Sequence, residues 1–250
     1  MQVFQCLKKK KLYLLILLDR MRKIIREKIM KKVYAINGSP RKNKNTAQML
    51  DKALDGVKSA FPNEEIITER INLFDLNFTS CKSCFACKRK DEKFLRTCAL
   101  KDDLSPVLEK LKDADGLIIG SPIYYRTITG QLHSFYERLF FPYMLYKEGY
   151  PTLVEKKIPT ACIYTMNVDE KGMNDFGITP HIKIWEDFLT QYFSKPLTAY
   201  AFNTYQFDDY SKYICDVFNE YDKAKYRDEH FEEDLDNAYK LGQKLLKQTI

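Results

Sequence analysis

Cys81, Cys84, Cys87 and Cys98 stand at a spacing of C-x2-C-x2-C-x10-C. Three thiols within seven residues can wrap one metal centre, and a fourth can close a four-cysteine site for a [4Fe–4S] cluster or for zinc. A cysteine-rich loop that holds no metal is the third reading of the same residues. A second group lies in NGSPRKNKNT, residues 37–46. It joins an apolar run, Val33 to Ile36, to an amphipathic pattern opening at Asn45 or Thr46. Strand, short loop and helix start aim free backbone N–H groups and a positive dipole end at an anion. Ser39, Arg41, Asn45 and Thr46 add side-chain donors, a set suited to a terminal monophosphate whose outer oxygens accept several donors at once. The loop lacks both the G-x-x-x-x-G-K-[ST] and the G-x-G-x-x-G patterns, which argues against a nucleotide or dinucleotide phosphate loop. A plain turn with a helix cap is the bland alternative.

The third group is Gly120-Ser121-Pro122-Ile123-Tyr124-Tyr125-Arg126-Thr127. Pro122 stiffens this stretch, and Tyr124 and Tyr125 offer flat apolar faces with polar tips, enough to lie along a planar ring system. Packing or an interface would use two adjacent tyrosines equally well. His133, His181 and Glu137 fall in helical or helix-start patterns and read as structural or surface residues, so no catalytic acid or base is assigned.

These groups need elements to place them. Leu50, Ala53, Leu54 and Val57 repeat at helical spacing over a helix from Thr46 to about Ala60. A second helix opens at Asp102-Asp103 with Leu104, Val107, Leu108 and Leu111 on one face. Leu132, Phe135, Tyr136 and Leu139 mark a third, and Trp185, Phe188, Leu189 and Tyr192 a fourth. Strands are expected at residues 33–36, 65–71, 116–120, 158–166 and 197–202, followed by a helix-rich tail to about Leu245. Five strands interleaved with helices predict an α/β fold, a doubly wound five-stranded parallel sheet with helices on both faces. In strand order 2-1-3-4-5, the loops after strands one and three flank the switch point and open into one crevice.

Taken together, NGSPRKNKNT, the cysteine segment ending in Cys98-Ala-Leu-Lys-Asp-Asp103, and SPIYYRTITGQLHSFYERL resemble the NADPH-dependent FMN reductase family of flavodoxin-like proteins. The resemblance runs from Met30 to about Tyr210. It implies FMN phosphate on Ser39, Arg41, Asn45 and Thr46, and the isoalloxazine against Pro122, Ile123, Tyr124 and Tyr125. Thr165, with Met166 and Asn167, would close the other side. Lys44 stands where many relatives have glycine. The iron–sulfur flavoprotein branch of the family is similar in placing a compact cysteine motif after strand two, with a shorter last gap. Other relatives carry the segment as a metal-free loop near the flavin or the dimer partner. The resemblance further implies that NAD(P)H is the co-substrate, that bound FMN passes its electrons to a small-molecule acceptor (quinone, nitro compound or flavin), and that the protein is a homodimer. Two alternatives stand beside this oxidoreductase: an iron–sulfur electron carrier, and a non-enzymatic FMN-binding sensor or regulatory module. The aromatic stretch Phe140 to Tyr150 is read as a dimer surface or a lid over the substrate.

The formal charge of +7 does not make this a nucleic-acid protein. Residues 1–29 hold nine Lys and Arg against Asp19 and Glu27, an excess of seven, so residues 30–250 are neutral. Lys82, Lys88, Arg89, Lys90 and Lys93 are therefore expected as a solvated face. Residues 1–29 are read as a basic N-terminal extension outside the fold, a loose appendage or mis-set start. The other readings are a basic helix that alone could touch a membrane, and a signal peptide. Its apolar run, Leu12 to Leu18, is far short of the roughly 20 residues a bilayer needs. No Pro/Gly/Ser linker divides residues 30–250, which are expected as one FMN-binding domain. Seven cysteines, an odd number with four of them crowded into residues 81–98, suit reduced thiols in a cytoplasmic protein.

Overall fold

The computed structural model describes residues 30–248; the expected N-terminal extension lies outside the described residues. Five strands form one sheet: β1 Lys31–Asn37, β2 Ile66–Asn72, β3 Gly116–Pro122, β4 Thr160–Thr165 and β5 Leu197–Ala201. All pair parallel, in the order β2-β1-β3-β4-β5. Six α-helices among the described residues accompany them: α1 Asn45–Ser59, α2 Leu104–Leu111, α3 Gly130–Phe140, α4 Glu170–Asp175, α5 Ile178–Tyr192 and α6 Glu220–Leu245. No helix among the described residues is long and apolar enough to cross a membrane.

The apolar strand runs exist because both sheet faces are covered, and alternation sorts them. Val33, Ala35, Ile118, Ala161 and Ile163 point to the face covered by α1 and α6, with Leu50, Ala53, Phe231 and Leu235. Tyr34, Ile36, Leu117, Ile119, Cys162 and Tyr164 point to the other face, against Leu104 of α2, Leu132 and Phe135 of α3 and Leu189 of α5. The α1–α6 contact is backbone to backbone. A Cβ on Gly56 would lie 2.0 Å from the Tyr239 carbonyl oxygen, and one on Gly242 would lie 1.9 Å from that of Ala53.

Two differences from the sequence reading bear on function. Strand β3 runs on through Ser121 and Pro122, because both stay in register with β4 (Ser121 opposite Tyr164, Pro122 opposite Thr165). The Lys88 side chain is not part of a solvated face. Its amine donates to the Phe141 and Met144 carbonyls and lies 4.5 Å from the Phe141 ring centre. Burial pushes this ammonium's pKa down, opposed by the nearby Cys87 and Cys81 thiols.

Candidate functional site

The loops after β1 and β3 meet at the carboxyl ends of the strands. The Gly38 amide donates to the Gly120 carbonyl at 2.8 Å, and the Thr129 hydroxyl donates to the Gly38 carbonyl at 2.8 Å. The same hydroxyl caps α3 by accepting from the Leu132 amide. Gly120 must lack a side chain, since a Cβ there would come within 2.9 Å of Leu50 and Thr46. Asn37, fully buried, accepts from the Ser39 amide and donates to Asn72, which fixes the turn from strand into loop.

Helix α1 opens at Lys44 with no side-chain cap and no acidic residue in its first turn. Its leading N–H groups and positive dipole end are therefore offered to the loop. Lys44 has φ −101° and ψ −168°, extended backbone that any residue adopts, so its bulk costs nothing where relatives have glycine. Ser39 and Thr46 are buried beside this helix start. The Ser39 hydroxyl accepts from the Arg41 amide at 3.2 Å.

The remaining expected phosphate residues are engaged by a segment that sequence reasoning missed. Arg41 donates to the Gln206 carbonyl, and Lys44 pairs with Asp208. The Asn45 amide donates to the Tyr205 carbonyl at 3.3 Å and accepts from Arg227 of α6 at 2.7 Å. The chain after β5 thus folds over the β1 loop. No periodicity marks these partners, which lie some 160 or more residues away in the chain.

Pro122 ends β3, Ile123 is half-buried, and its amide donates to the Thr165 carbonyl at 2.9 Å. Tyr124 and Thr127 exchange backbone hydrogen bonds of 2.9 and 3.1 Å around a two-residue turn. Its central residues, Tyr125 and Arg126, have φ of +48° and +71°. Left-handed backbone at two side-chain-bearing residues is strained, and strain of this kind gathers at ligand sites. Tyr124 is partly exposed, and Tyr125 projects wholly into solvent. Thr165 ends β4, and its hydroxyl bonds that of Thr46 at 2.8 Å, so it ties β4 to α1. Two residues on, Asn167 donates to Gln206 at 3.1 Å while its own Oδ1 is buried without a partner. That acceptor, at the mouth of the crevice, suits a ligand N–H. Phosphate donors at the start of α1, a strained aromatic turn and an orphaned acceptor all fit a ring-bearing monophosphate such as FMN.

At the other end of α3, Cys81, Cys84, Cys87 and Cys98 line one small pocket with Glu137, Arg138 and Phe141. All six described cysteines are free thiols. Among the described residues, no group of three or more His, Cys, Asp or Glu is disposed to hold a metal ion. The Cys81 amide donates to Glu137 at 2.9 Å, and His133 packs edge-on against Trp185, so both acidic and imidazole groups have structural partners. The side chain of Arg138 is fully buried, paired with Asp102 and bonded to the Thr79 carbonyl at 3.2 Å. Burial alone would raise the Asp102 carboxyl; the hydrogen bond and charge of Arg138 outweigh it and hold the pKa below the usual range. Helix α3 has 11 residues and spans roughly 16 Å, which separates this pocket from the crevice. The Phe140–Tyr150 stretch meets the cysteine segment through Lys88 and a Phe85–Phe141 edge contact.

The model of the NADPH-dependent FMN reductase family matches residues 31–162. The chain belongs to this family. Among relatives of the reductase-family chain, an iron-sulfur flavoprotein of Methanocaldococcus jannaschii is 37% identical over 107 residues, 43% of this chain and 51% of the relative. One from Archaeoglobus fulgidus is 38% identical over 107 residues, 43% of this chain and 48% of the relative. The chain thus spans about half the length of the relatives it matches. Among solved structures, NAD(P)H:quinone oxidoreductase from Methanothermobacter marburgensis superposes with a TM-score of 0.61 at 16% identity, over 86% of this chain and 99% of the other. An FMN-dependent NADH-azoreductase from Bacillus anthracis in complex with FMN gives 0.57 at 16% identity, over 87% and 98%. At such identities these two establish the shared flavodoxin-like fold.

Proposed function

We propose that residues 30–250 act as one FMN-binding unit, apart from residues 1–29, which oxidises NAD(P)H and reduces a small acceptor such as a quinone, a nitro compound or free flavin. The observation that carries this reading is the start of α1, uncapped and free of acidic residues, in a loop furnished with Ser39, Arg41 and Thr46. In this reading Arg41 and Lys44 exchange the 206–208 segment for the FMN phosphate, while Ser39, Asn45 and Thr46 line its base. Pro122, Ile123 and Tyr124 form one wall for the ring system, and Asn167 supplies an acceptor opposite them. Tyr125 stands clear of the crevice and is left to contact an acceptor or a second copy of the chain. FMN supplies the chemistry of hydride acceptance and electron delivery. The protein binds, orients and leaves one ring face open, and it needs no acid or base of its own.

A homodimer in a reducing cytoplasm belongs to the same proposal. Its support is the free thiols together with apolar side chains left in solvent, Tyr125, Ile214 and Val217. The neutral charge of residues 30–250 gives no footing for nucleic acid. The convergence of four cysteines on one pocket favours a second reading, an iron–sulfur electron carrier. The ten-residue last gap is longer than in the iron–sulfur branch of the family, and on that ground the flavin-only reading is preferred. Steady-state oxidation of NADH and NADPH by the FMN-loaded protein, with quinone, nitro and flavin acceptors, tests the proposal. Turnover with any of these supports it. FMN uptake without turnover would make the protein a sensor, and iron with acid-labile sulfide would favour the electron carrier.

A further inference from the structure

A cavity of about 360 Å3 opens at the amino ends of the strands, away from the flavin crevice. Leu108, Leu139, Tyr143 and Ile158 give it apolar walls, and Cys98 and Arg138 stand in its lining. The same two residues, with Pro142, also line the four-cysteine pocket, so these three form the partition between the two spaces. The Arg138 side chain is 0% exposed, and its Nε and Nη2 have no hydrogen-bond partner. These two N–H groups share one edge of the guanidinium, the fork that grips an anionic group with two bonds. The Cys98 thiol stands beside this guanidinium, which also meets Asp102 and the Thr79 carbonyl, and it closes no hydrogen bond to Nε or Nη2. A neutral thiol is a weak acceptor and leaves the fork nearly empty; an oxygen on that sulfur would fill it.

We propose that Cys98 is a peroxide-reactive thiol, oxidised to a sulfenic acid whose oxygen is held by Arg138 and which Cys87 resolves to a disulfide. In the first step the Cys98 sulfur attacks a hydroperoxide: an S–O bond forms and the O–O bond breaks. The distal oxygen leaves with the thiol proton as water or an alcohol, the sulfur loses two electrons, and the peroxide gains them. In the second step the Cys87 sulfur attacks the Cys98 sulfur. An S–S bond forms, the S–O bond breaks, and the oxygen departs as water with the Cys87 proton. Cys87 shares the pocket, and its thiol lies close enough to Cys98 and Cys81 to feel their charge. The open cavity gives a small peroxide its path to one side of Cys98, and the resolving thiol lies on the other. Cys162 is the internal control, since it is fully buried and burial pushes its thiol up to about 12. The proposal does not depend on the flavin crevice.

The test treats the full-length, FMN-loaded, reduced protein with hydrogen peroxide in the presence of dimedone, followed by peptide mass spectrometry, after iron and sulfide have been assayed. The expected products are a Cys87–Cys98 disulfide in the wild type and a dimedone adduct on Cys98 in Cys87→Ser, with Cys162 untouched. Arg138→Lys keeps the charge but loses the fork, and should slow Cys98 labelling roughly tenfold. Labelling ordered by exposure, with Cys84 first, would overturn the proposal. So would an unchanged Cys98 rate in a folded Arg138→Lys protein, or four unreactive cysteines in a protein carrying iron and sulfide. Should Arg138→Lys fail to fold, the Cys87→Ser arm decides alone.

Discussion

Replacing Asp102 with alanine removes the carboxylate paired with the buried Arg138 guanidinium. The Arg138 side chain is 0% exposed, that of Asp102 is 19% exposed, and the Thr79 carbonyl is the remaining bond to Arg138. Deleting one member of a buried ion pair costs about 3–5 kcal/mol, because the other charge stays behind uncompensated. Partial solvent access at Asp102 places the expected loss near the lower end, about 3 kcal/mol. With a urea dependence of about 2 kcal/mol per molar, the midpoint should fall by about 1.5 M. The loss should also depend on pH. Asp102 is held below its ordinary pKa in the folded protein, so its contribution is complete above the unfolded value and disappears as pH falls through the folded one. Urea denaturation at pH 7 and pH 3 should therefore show a wide gap between wild type and Asp102→Ala that narrows in acid. A loss below about 1 kcal/mol at pH 7, or a gap of equal size at pH 3, would refute the reasoning.

Gly242→Ala should lower stability by at least about 2 kcal/mol, measured by thermal melting, because its Cβ would lie 1.9 Å from the Ala53 carbonyl oxygen with backbone on both sides. Asp234, half-buried in α6, has its carboxyl pushed up to about 6 by burial, against the charge of His230. An acid raised on folding contributes stability below its unfolded pKa and loses it as pH rises through 6. Asp234→Asn should thus stabilise the protein by about 1 kcal/mol at pH 7, after allowance for solvent screening, with little effect at pH 4 by urea titration. Arg41→Ala should weaken FMN binding by about 1.5–3 kcal/mol, the value of a charge-assisted hydrogen bond, in calorimetric titration; unchanged affinity would place the phosphate elsewhere.

The sheet is legible in the sequence because burial on both faces leaves its strands as continuous apolar runs, with turn residues such as Asn37-Gly38 and Asp113-Ala114-Asp115 between them. The strand, polar loop and helix start that carry Ser39, Arg41 and Thr46 are legible too, since the apolar run of β1 gives way to the helical spacing of Leu50, Ala53, Leu54 and Val57. What escapes the sequence is long-range pairing. Arg41, Lys44 and Asn45 look free for a ligand, yet Tyr205, Gln206, Asp208 and Arg227 engage them, and nothing local forecasts that return of the chain. Lys88 sits in a run of basic residues and reads as solvated, although two carbonyls and the Phe141 ring draw its amine inward. Arg138 interrupts no helical pattern, so its burial against Asp102 becomes visible only once the 77–103 segment is laid against α3. The short helix α4 carries a side-chain cap at Asp169 but too few turns for periodicity to reveal it.

The central claim is that the loop after β1 holds the phosphate of FMN. Titration of the flavin-free protein with FMN and with riboflavin, which lacks only the phosphate, tests this directly. If the claim holds, FMN binds at one per chain and at least about a hundredfold more tightly than riboflavin, since two charge-assisted bonds at about 1.5 kcal/mol each are lost with the phosphate. Equal affinity for the two flavins, or no uptake of either, would contradict it.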